Sequence, residues 1–338
     1  MLGSSEWPLW QAYDVAVLDL DGVVYVGSDA VPGAPGHLER ARGAGMHLAY
    51  VTNNASRPPG DVAQHLRDLG IEVEDADVVT SAQAAARLLA DDLPEGSKVY
   101  LIGGGGLDTA LRERGLVPVT RPEEEPVAVV QGYGPDMPWR QVVAGAILVH
   151  DGLPWVASNT DLTIPTATGV GPGNGALVRL VADFAGREPV VAGKPEPPLF
   201  EETLRRVGGD RPLVVGDRLD TDIEGAHNAG WDSLLVLTGV SGLEELASAT
   251  PRLRPTYLAA DLAGLGEAHQ VPVMDGARAS AGGWTAHVEG GALRVDGDGE
   301  PGDWWRVVAC SAWAHLDKHD DPADTAGLRV PQIGRAHV

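Results

Sequence analysis

Two carboxylates placed two residues apart are the groups of this chain best suited to chemistry. Asp19 and Asp21 stand at the end of the apolar segment Val15–Leu20, and Gly22 turns the chain directly after them. Such a segment is typical of a buried parallel strand, and ligands bind at the carboxyl ends of such strands. Because paired carboxylates there are unfavourable without a proton or a cation, the pattern predicts acid–base or metal chemistry. On this segment alone, a capping Asp followed by a turn Asp remains the alternative.

A second group of carboxylates opens the loop after another apolar segment, Pro212–Gly216. Asp217, Asp220 and Asp222 follow this segment within six residues. Oxygen ligands in an acidic loop suit Mg²⁺. Taken alone, the loop is interpreted equally well as an acidic turn without a metal.

Neutral and positive groups follow two further segments, and they suit a phosphate. The apolar segment His47–Thr52 ends in a hydroxyl and leads to the amides of Asn53 and Asn54, which donate hydrogen bonds without adding negative charge. Lys194 lies in a stiff Gly-Lys-Pro loop. By themselves, two Asn residues after a strand are more typical of a turn, and a single Lys is more typical of a solvated position.

In this order the four segments resemble the four motifs of the haloacid dehalogenase (HAD) superfamily of phosphatases. The motifs are Asp-x-Asp-Gly, Thr-Asn-Asn, Gly-Lys-Pro and Gly-Asp-x-x-x-Thr-Asp, and the resemblance covers residues 12–265. Their variants resemble those of the large-cap subfamily IIA, in which a cap is inserted between the second and third motifs. This subfamily includes NagD-like, p-nitrophenyl phosphate, phosphoglycolate, pyridoxal phosphate and glycerol phosphate phosphatases.

The resemblance implies a role for each carboxylate of the motifs. Asp19 would be the nucleophile that forms an aspartyl phosphate, and Asp21 would protonate the leaving alcohol and then activate water. Mg²⁺ would bind Asp19, the main-chain carbonyl of Asp21 and Asp217. Asp222 would be the further acid of the metal site, acting through water or by orienting a ligand. Asp220 is expected to be a loop residue without a role.

The resemblance also implies which residues bind the phosphoryl group and which select the substrate. Thr52, Asn53 and Lys194 would hold the phosphoryl oxygens. Caps of this subfamily lower the loop after their last strand, here Ser158–Pro165, over the active site, where closure excludes water and senses the leaving group. A role confined to packing of the cap stays open for this loop. The residues expected to set specificity are Asp161, Leu162, Thr163 and Ile164.

The apolar segments alternate with helix-like segments, which predicts an α/β protein. Residues 1–80 and 189–270 predict a Rossmann-like parallel-sheet core, which resumes after the insertion with a strand at Pro189–Ala192. Residues 81–188 carry their own strand–helix pattern and predict an inserted α/β cap. In the cap, the four glycines Gly103–Gly106 are interpreted as a site of close packing rather than a dinucleotide loop, because no ribose-binding acid follows at the required spacing.

The remainder of the chain predicts a small C-terminal α+β extension. Residues 271–283 are expected to be a linker, because Ala277–Gly283 is small and flexible in composition. Residues 284–331 predict a hairpin around Gly290-Gly291, followed by an amphipathic helix at Asp303–Asp317 with its tryptophans in the core. Residues 333–338 match one reading frame of a common sequencing adapter, so they are expected to be an artefact and the native chain to be cut short near Pro331.

The charge and the cysteine content of the chain limit which binding partners and which cellular compartment are expected for the protein. The formal net charge is −23 at pH 7 over 338 residues, which disfavours nucleic acid and anionic membranes as partners. Cys310 is the single cysteine, so a disulfide framework is excluded and a reducing cytoplasm is expected. The chain has no apolar run of about 18 residues, and its start lacks the basic region and apolar core of a signal peptide, so neither a transmembrane helix nor a secretory leader is expected.

These observations predict a Mg²⁺-dependent phosphatase that acts on a small phosphorylated metabolite. Glycerol 3-phosphate is the first choice of substrate, because the extension loosely resembles that of glycerol 3-phosphate phosphatases from actinobacteria. Phosphoglycolate comes second, and pyridoxal phosphate, nucleotides or p-nitrophenyl phosphate follow. The sequence does not separate hydrolysis from phosphotransfer to an alcohol, and it leaves a homodimer through the cap open. A non-catalytic sensor is disfavoured, because both Asp19 and Asp21 are present.

Overall fold

The structure is a computed structural model that describes residues 1–166 and 169–331. The predicted artefact at 333–338 lies outside the described residues. In chain order the α-helices are α1 (Leu9–Ala12), α2 (Ala34–Gly43), α3 (Pro59–Asp68), α4 (Ser81–Asp92), α5 (Gly105–Glu113), α6 (Trp139–His150), α7 (Asn174–Ala185), α8 (Pro198–Val207), α9 (Glu224–Ala229), α10 (Leu243–Ala247) and α11 (Pro301–His319). The β-strands are β1 (Val15–Asp19), β2 (Tyr25–Val26), β3 (Asp29–Ala30), β4 (His47–Thr52), β5 (Val78–Thr80), β6 (Lys98–Ile102), β7 (Val117–Val119), β8 (Ala128–Gln131), β9 (Trp155–Ala157), β10 (Thr163–Thr166), β11 (Gly169–Pro172), β12 (Val190–Val191), β13 (Pro212–Gly216), β14 (Asp232–Val236), β15 (Tyr257–Ala259), β16 (Val273–Asp275), β17 (Arg278–Ala281), β18 (Trp284–Glu289) and β19 (Ala292–Gly297).

The residues group into two compact units, and the first contains the predicted core sheet. Unit 1 comprises Met1–Ala49, Leu69–Glu72 and the chain from Gly209 onward. Its strands lie in the order β15-β14-β13-β1, and each pairs with its neighbour in parallel. The four residues of β1 before Asp19 are buried, as expected for a strand covered on both faces. The predicted parallel-sheet α/β core is therefore confirmed.

Unit 2 comprises Tyr50–Asp68 and Val73–Gly208, so it is wider than the predicted cap at 81–188. β4 passes from one unit to the other, and its last three residues pair in parallel with β5. A five-stranded parallel sheet in the order β12-β9-β8-β6-β7 follows, with α6 and α7 packed on its strands. The segment Pro189–Ala192 was predicted to resume the core, and this is wrong. Val190–Val191 forms the edge strand of the cap sheet, beside β9.

A buried carboxylate fixes α8, which begins four residues after Lys194. Glu202 of α8 is fully buried and forms ion pairs with Arg206 at 2.6 Å, with Arg114 at 2.5 Å and with Arg87 of α4 at 3.4 Å. Removing one partner from a buried ion pair costs about 3–5 kcal/mol, because the remaining charge stays desolvated. This cluster therefore anchors the helix that follows the Gly-Lys-Pro loop.

The extension belongs to unit 1 and is built as a sheet with one helix packed on it. β16, β17, β18 and β19 form an antiparallel sheet in this order, and α11 packs on it. The predicted hairpin and helix are confirmed, with Gly290 and Gly291 both at positive φ in the turn. The predicted linker is wrong at Arg278–Ala281, which is the strand β17. Ala279 is fully buried there, because a small side chain lets the strand lie close under α11.

One hydrophobic cluster runs through the extension and the core sheet. Trp305 and Trp313 of α11 are fully buried in the same cluster as Leu235 of β14 and Leu258 of β15. Arg254 lies 5.2 Å from the centre of the Trp313 ring.

No described helix has the length and the hydropathy to cross a lipid bilayer.

Arg254 also binds the far end of α11. Its two terminal nitrogens donate to the carboxylate of Asp317 at 2.8 and 2.6 Å. These hydrogen bonds hold the pKa of the Asp317 carboxyl below its usual value. The extension is thus fixed to the core by both apolar packing and a charged pair.

Candidate active site

β1 delivers Asp19 to the carboxyl end of the core sheet, and a tight turn follows at once. The carbonyl of Leu20 accepts the amide of Val24 at 2.9 Å, which closes the turn. Asp19 is partly buried, whereas Asp21 is exposed. The two carboxylates therefore occupy different environments at one strand end, which suits two different roles in a reaction.

Two glycines let the backbone approach Asp217, which is fully buried at the end of β13. A Cβ atom at Gly22 or at Gly239 would overlap the Asp217 carboxylate. Gly22 also has φ of +87°, which favours glycine. The Asp217 carboxylate accepts the amide of Val240 at 2.6 Å. Any larger residue at either glycine would displace this acid.

Three of the predicted site residues converge in unit 1. Carboxylate oxygens of Asp19, Asp217 and Asp222 lie within 4.8 Å of one another. Asp217 and Asp222 are fully buried, so their shared negative charge is unfavourable unless a cation is bound. A donor set made only of oxygens suits Mg²⁺. The residues present therefore fit the metal that the resemblance implies.

The loop that carries Asp222 is held by packing and by two polar contacts. Leu219 and Ile223 are buried in the hydrophobic cluster of unit 1, and the hydroxyl of Ser241 accepts the Leu219 amide at 3.1 Å. Arg218 donates to both carboxylate oxygens of Asp220, at 3.0 and 2.7 Å. Asp220 thus pairs with Arg218 at the surface.

The predicted phosphate-binding and specificity residues lie in unit 2, where the carboxamide of Asn53 joins Lys194 and Asp161. The side-chain oxygen of Asn53 accepts the amide of Lys194 at 2.8 Å, and its nitrogen donates to the Lys194 carbonyl at 3.0 Å. The same nitrogen donates to the carboxylate of Asp161 at 3.2 Å. Thr52 ends β4, and its hydroxyl oxygen accepts the amide of Asn54 at 3.1 Å. Since both N–H groups of the Asn53 side chain are engaged, its main-chain amide is the better candidate for a phosphoryl oxygen.

The predicted specificity loop begins a β-hairpin. β10 starts at Thr163 and pairs antiparallel with β11. The main-chain carbonyls of Asp161 and Leu162 accept the amides of Gly175 and Gly173, each at 2.8 Å, which binds the hairpin to the start of α7. The Leu162 side chain is 45% exposed, whereas the Asp161 side chain turns to Asn53. Of the four residues expected to act together, Asp161 therefore directs its carboxylate to Asn53, whereas Leu162 is exposed at the start of the hairpin.

Sequence reasoning missed Asn159, which is 4% exposed and contacts two of the predicted residues. Its side-chain nitrogen donates to the main-chain carbonyl of Asn53 at 2.6 Å, and its oxygen accepts the amide of Asp161 at 3.2 Å. The available signal was its spacing. Asn159 and Asp161 stand two residues apart after a buried strand, as Asp19 and Asp21 do.

Three of the four glycines after β6, which are Gly103, Gly104 and Gly106, lie in close packing, whereas Gly105 has open space around it. A Cβ atom at Gly106 would overlap the main-chain carbonyls of Ala55 and Arg57, and one at Gly104 would lie 3.3 Å from the carbonyl of Tyr133.

Comparison with known proteins places the chain in a family. The model of haloacid dehalogenase-like hydrolases matches residues 16–117, and a HAD-hydrolase-like model matches residues 191–265. D-glycerol 3-phosphate phosphatase of Mycobacterium tuberculosis is 42% identical over 323 residues, which cover 92% of this chain and 90% of that protein. Acid sugar phosphatase of Staphylococcus aureus is 37% identical over 252 residues, which cover 74% of this chain and 95% of that protein.

Solved structures agree with these relatives. A crystal structure of the M. tuberculosis glycerol phosphate phosphatase in complex with magnesium has a TM-score of 0.84 and 40% identity, and the match covers 95% of this chain and 94% of that one. The 4-nitrophenylphosphatase of Thermotoga maritima has a TM-score of 0.71 and 29% identity, and the match covers 78% and 99%. The chain belongs to the haloacid dehalogenase-like hydrolases and is one of their phosphatases.

Proposed function

We propose that this phosphatase uses Mg²⁺ and hydrolyses glycerol 3-phosphate through an aspartyl phosphate. The observation that supports the proposal is the convergence of Asp19, Asp217 and Asp222, whose carboxylates would supply a nucleophile and the ligands of a metal ion. The choice of substrate is supported by the M. tuberculosis relative, which is named for glycerol 3-phosphate and matches over nine-tenths of both chains. Phosphoglycolate is the second candidate.

The chemistry of each step follows from the carboxylates. The Asp19 carboxylate attacks phosphorus, the bond to the leaving oxygen breaks, and Asp21 gives its proton to that oxygen. Water then attacks the phosphorus of the aspartyl phosphate, gives a proton to Asp21 and releases Asp19 with inorganic phosphate. Bound Mg²⁺ would be held by Asp19, Asp217, Asp222 and the carbonyl of Asp21, and it would offset the negative charge of the acids and the phosphate.

The phosphoryl oxygens are assigned to groups of unit 2. The Thr52 hydroxyl, the main-chain amide of Asn53 and the Lys194 ammonium would hold them. Lys194 is 3% exposed, so its charge acts in a poorly solvated setting where it stabilises developing negative charge more than it would in water.

A panel of phosphate esters tests the proposal. Release of inorganic phosphate is measured with Mg²⁺ from glycerol 3-phosphate, phosphoglycolate, pyridoxal phosphate, nucleoside monophosphates and p-nitrophenyl phosphate. We expect kcat/KM for glycerol 3-phosphate to exceed that for phosphoglycolate about tenfold. A flat profile would indicate a broad-specificity phosphatase. Transfer of phosphate to an added alcohol would indicate a phosphotransferase, and binding without turnover would indicate a sensor.

Exchange of residues 162–164 should change the choice of substrate. The groups assigned to the phosphoryl oxygens and metal touch parts that all phosphate esters share, so discrimination requires contacts to the leaving alcohol. Leu162 is exposed at the start of the hairpin and is the best placed of the three. We expect the ratio of kcat/KM between glycerol 3-phosphate and phosphoglycolate to change about tenfold, or roughly 1.4 kcal/mol. Val127→Thr, at another exposed apolar position of unit 2, is the control. An equal loss on both substrates would show that the hairpin does not select.

A homodimer through α6 and α7 is proposed as the assembly. These helices pack on each other and expose five apolar side chains at helical spacing, which are Trp139, Val143, Ile147, Leu180 and Phe184. A cluster of exposed large apolar side chains on one face often marks a protein–protein contact surface. Arg179 and Asp183 on the same helix are both exposed, so the face carries both signs of charge and can pair with its own copy.

Ile147→Glu tests this assembly. In sedimentation experiments we expect the parent protein to be a dimer and the variant a monomer with an unchanged melting temperature, because a buried carboxylate without a partner is unfavourable in an interface. Val127→Glu is the matched control and should remain dimeric. A parent protein that is monomeric at micromolar concentration would refute the proposed homodimer.

The cytoplasm is the proposed compartment. Cys310 is buried in α11, where desolvation raises the pKa of its thiol to about 11. The chain has no second cysteine with which to form a disulfide, which fits a reducing environment.

A further inference from the structure

We infer that Asn159 and Asp161 are positioning residues that hold Lys194 through the side chain of Asn53. Asp161 would then act on the phosphate-binding lysine and not on the leaving alcohol, which separates it from the specificity residues that follow it in the chain. The inference rests on the proposed function, since it takes Lys194 to bind the phosphoryl group.

The Asn53 carboxamide grips the main chain of Lys194 from both sides. Its oxygen accepts the Lys194 amide at 2.8 Å, and its nitrogen donates to the Lys194 carbonyl at 3.0 Å. The side chain of Asn53 thus bonds both the N–H and the C=O of Lys194, as a residue of a neighbouring β-strand does in a sheet. A Cβ atom at Gly193 would lie 2.5 Å from both the Asn53 side-chain oxygen and the Ser158 carbonyl, so the loop already approaches as closely as glycine permits.

Asn53 is in turn held by two side chains that follow β9. Asp161 accepts the second N–H of the carboxamide at 3.2 Å, and this bond selects the rotation of the amide in which its oxygen faces the Lys194 N–H. Asn159 donates to the Asn53 carbonyl at 2.6 Å and accepts the Asp161 amide at 3.2 Å. Each member thus orients the next, and such networks couple more strongly than isolated bonds when buried.

The network ends at the start of α7 and the hairpin. The Asn174 side chain donates to the Asn159 carbonyl at 2.7 Å, and the Asp161 carbonyl accepts the Gly175 amide at 2.8 Å. Asn53, Asn159, Asn174 and Lys194 are all at most 9% exposed, so solvent does not readily replace a lost bond. A shift at the hairpin start is therefore passed to Lys194.

The test compares two substitutions at Asp161. Asp161→Ala removes the acceptor for Asn53, and we expect kcat/KM to fall about tenfold to a hundredfold by the same factor for glycerol 3-phosphate, phosphoglycolate and p-nitrophenyl phosphate. The inhibition constant for inorganic phosphate should rise in parallel. Asp161→Asn keeps an oxygen acceptor of the same size, and it should restore both quantities to within about threefold of the parent.

Two further variants make the result decisive. Asn159→Asp keeps the acceptor for the Asp161 amide but removes the donor to Asn53, so it should reproduce the uniform loss even if Asp161→Ala folds poorly. Leu162→Ala, the matched control one residue on, should change the ratio between substrates and leave phosphate inhibition unaltered. Losses that differ between substrates, or no rescue by Asp161→Asn, would overturn the inference. A parent enzyme that hydrolyses none of the esters would instead refute the proposed function.

Discussion

Asp19→Asn should abolish phosphate release while the chain stays folded. An amide is a far weaker nucleophile than a carboxylate, and we expect a loss of at least about a thousandfold in kcat. The substitution keeps the size of the side chain and removes one negative charge from the cluster with Asp217 and Asp222. Without added metal, the melting temperature of the variant should therefore equal or exceed that of the parent, because repulsion in the cluster falls.

The control for this prediction is the same substitution at Asp220, which pairs with Arg218 at the surface. Asp220→Asn should retain activity within about threefold, since surface ion pairs contribute at most about 1 kcal/mol. A folded Asp19→Asn variant that releases phosphate within tenfold of the parent rate would contradict the assignment of the nucleophile.

Excess chelator should remove activity, and added Mg²⁺ should restore it. The second part of this prediction concerns Asp217→Asn, which should raise the Mg²⁺ concentration for half-maximal activity about a hundredfold, because a neutral amide replaces a charged ligand. The Asn oxygen can still accept the Val240 amide, which Asp217→Ala would leave unpaired at a cost of about 1–3 kcal/mol. The conservative variant thus separates metal binding from damage to the fold.

Thermal unfolding gives a readout of metal binding that does not depend on turnover. Mg²⁺ at about 100 times its dissociation constant should stabilise the parent by about 2.7 kcal/mol, and Asp217→Asn should lose most of this shift at the same concentration. Asp220→Asn should keep it. Full activity in excess chelator, or an equal thermal shift in parent and Asp217→Asn, would refute the metal site.

Sequence reasoning succeeded where chemistry is local to a strand end. Asp19 and Asp217 follow Val- and Leu-rich strands that pair in parallel, so their side chains had to meet at one edge of a sheet. It failed where the partner of a segment is distant in sequence. The apolar pattern of Pro189–Ala192 predicts a buried strand that would fit the core sheet or the cap sheet equally well. The pattern alone does not indicate that the neighbouring strand is β9.

Two other differences come from residue types with more than one use. Small residues suit both a linker and a strand that lies close under a helix, so Arg278–Ala281 was misassigned. Amide side chains suit both a ligand and a main-chain clamp, so the sequence did not show that Asn53 would bind the backbone of Lys194. In each case both structural roles have the same local sequence pattern. They differ only in tertiary contacts, which the sequence does not show.

Because α11 shares a hydrophobic cluster with the loop that carries Asp222, amide hydrogen exchange in this helix should respond to binding at the carboxylates of Asp19, Asp217 and Asp222. Trp305 and Trp313 lie in one cluster with Leu219 and Ile223 of the Asp222 loop, so cooperative opening of unit 1 would expose both regions together. A cation bound by the carboxylates would then slow amide hydrogen exchange in α11, although the helix supplies no ligand. By the same linkage, truncation before α11 would leave the apolar back of β14 and β15 open to water, and the shortened chain would tend to aggregate.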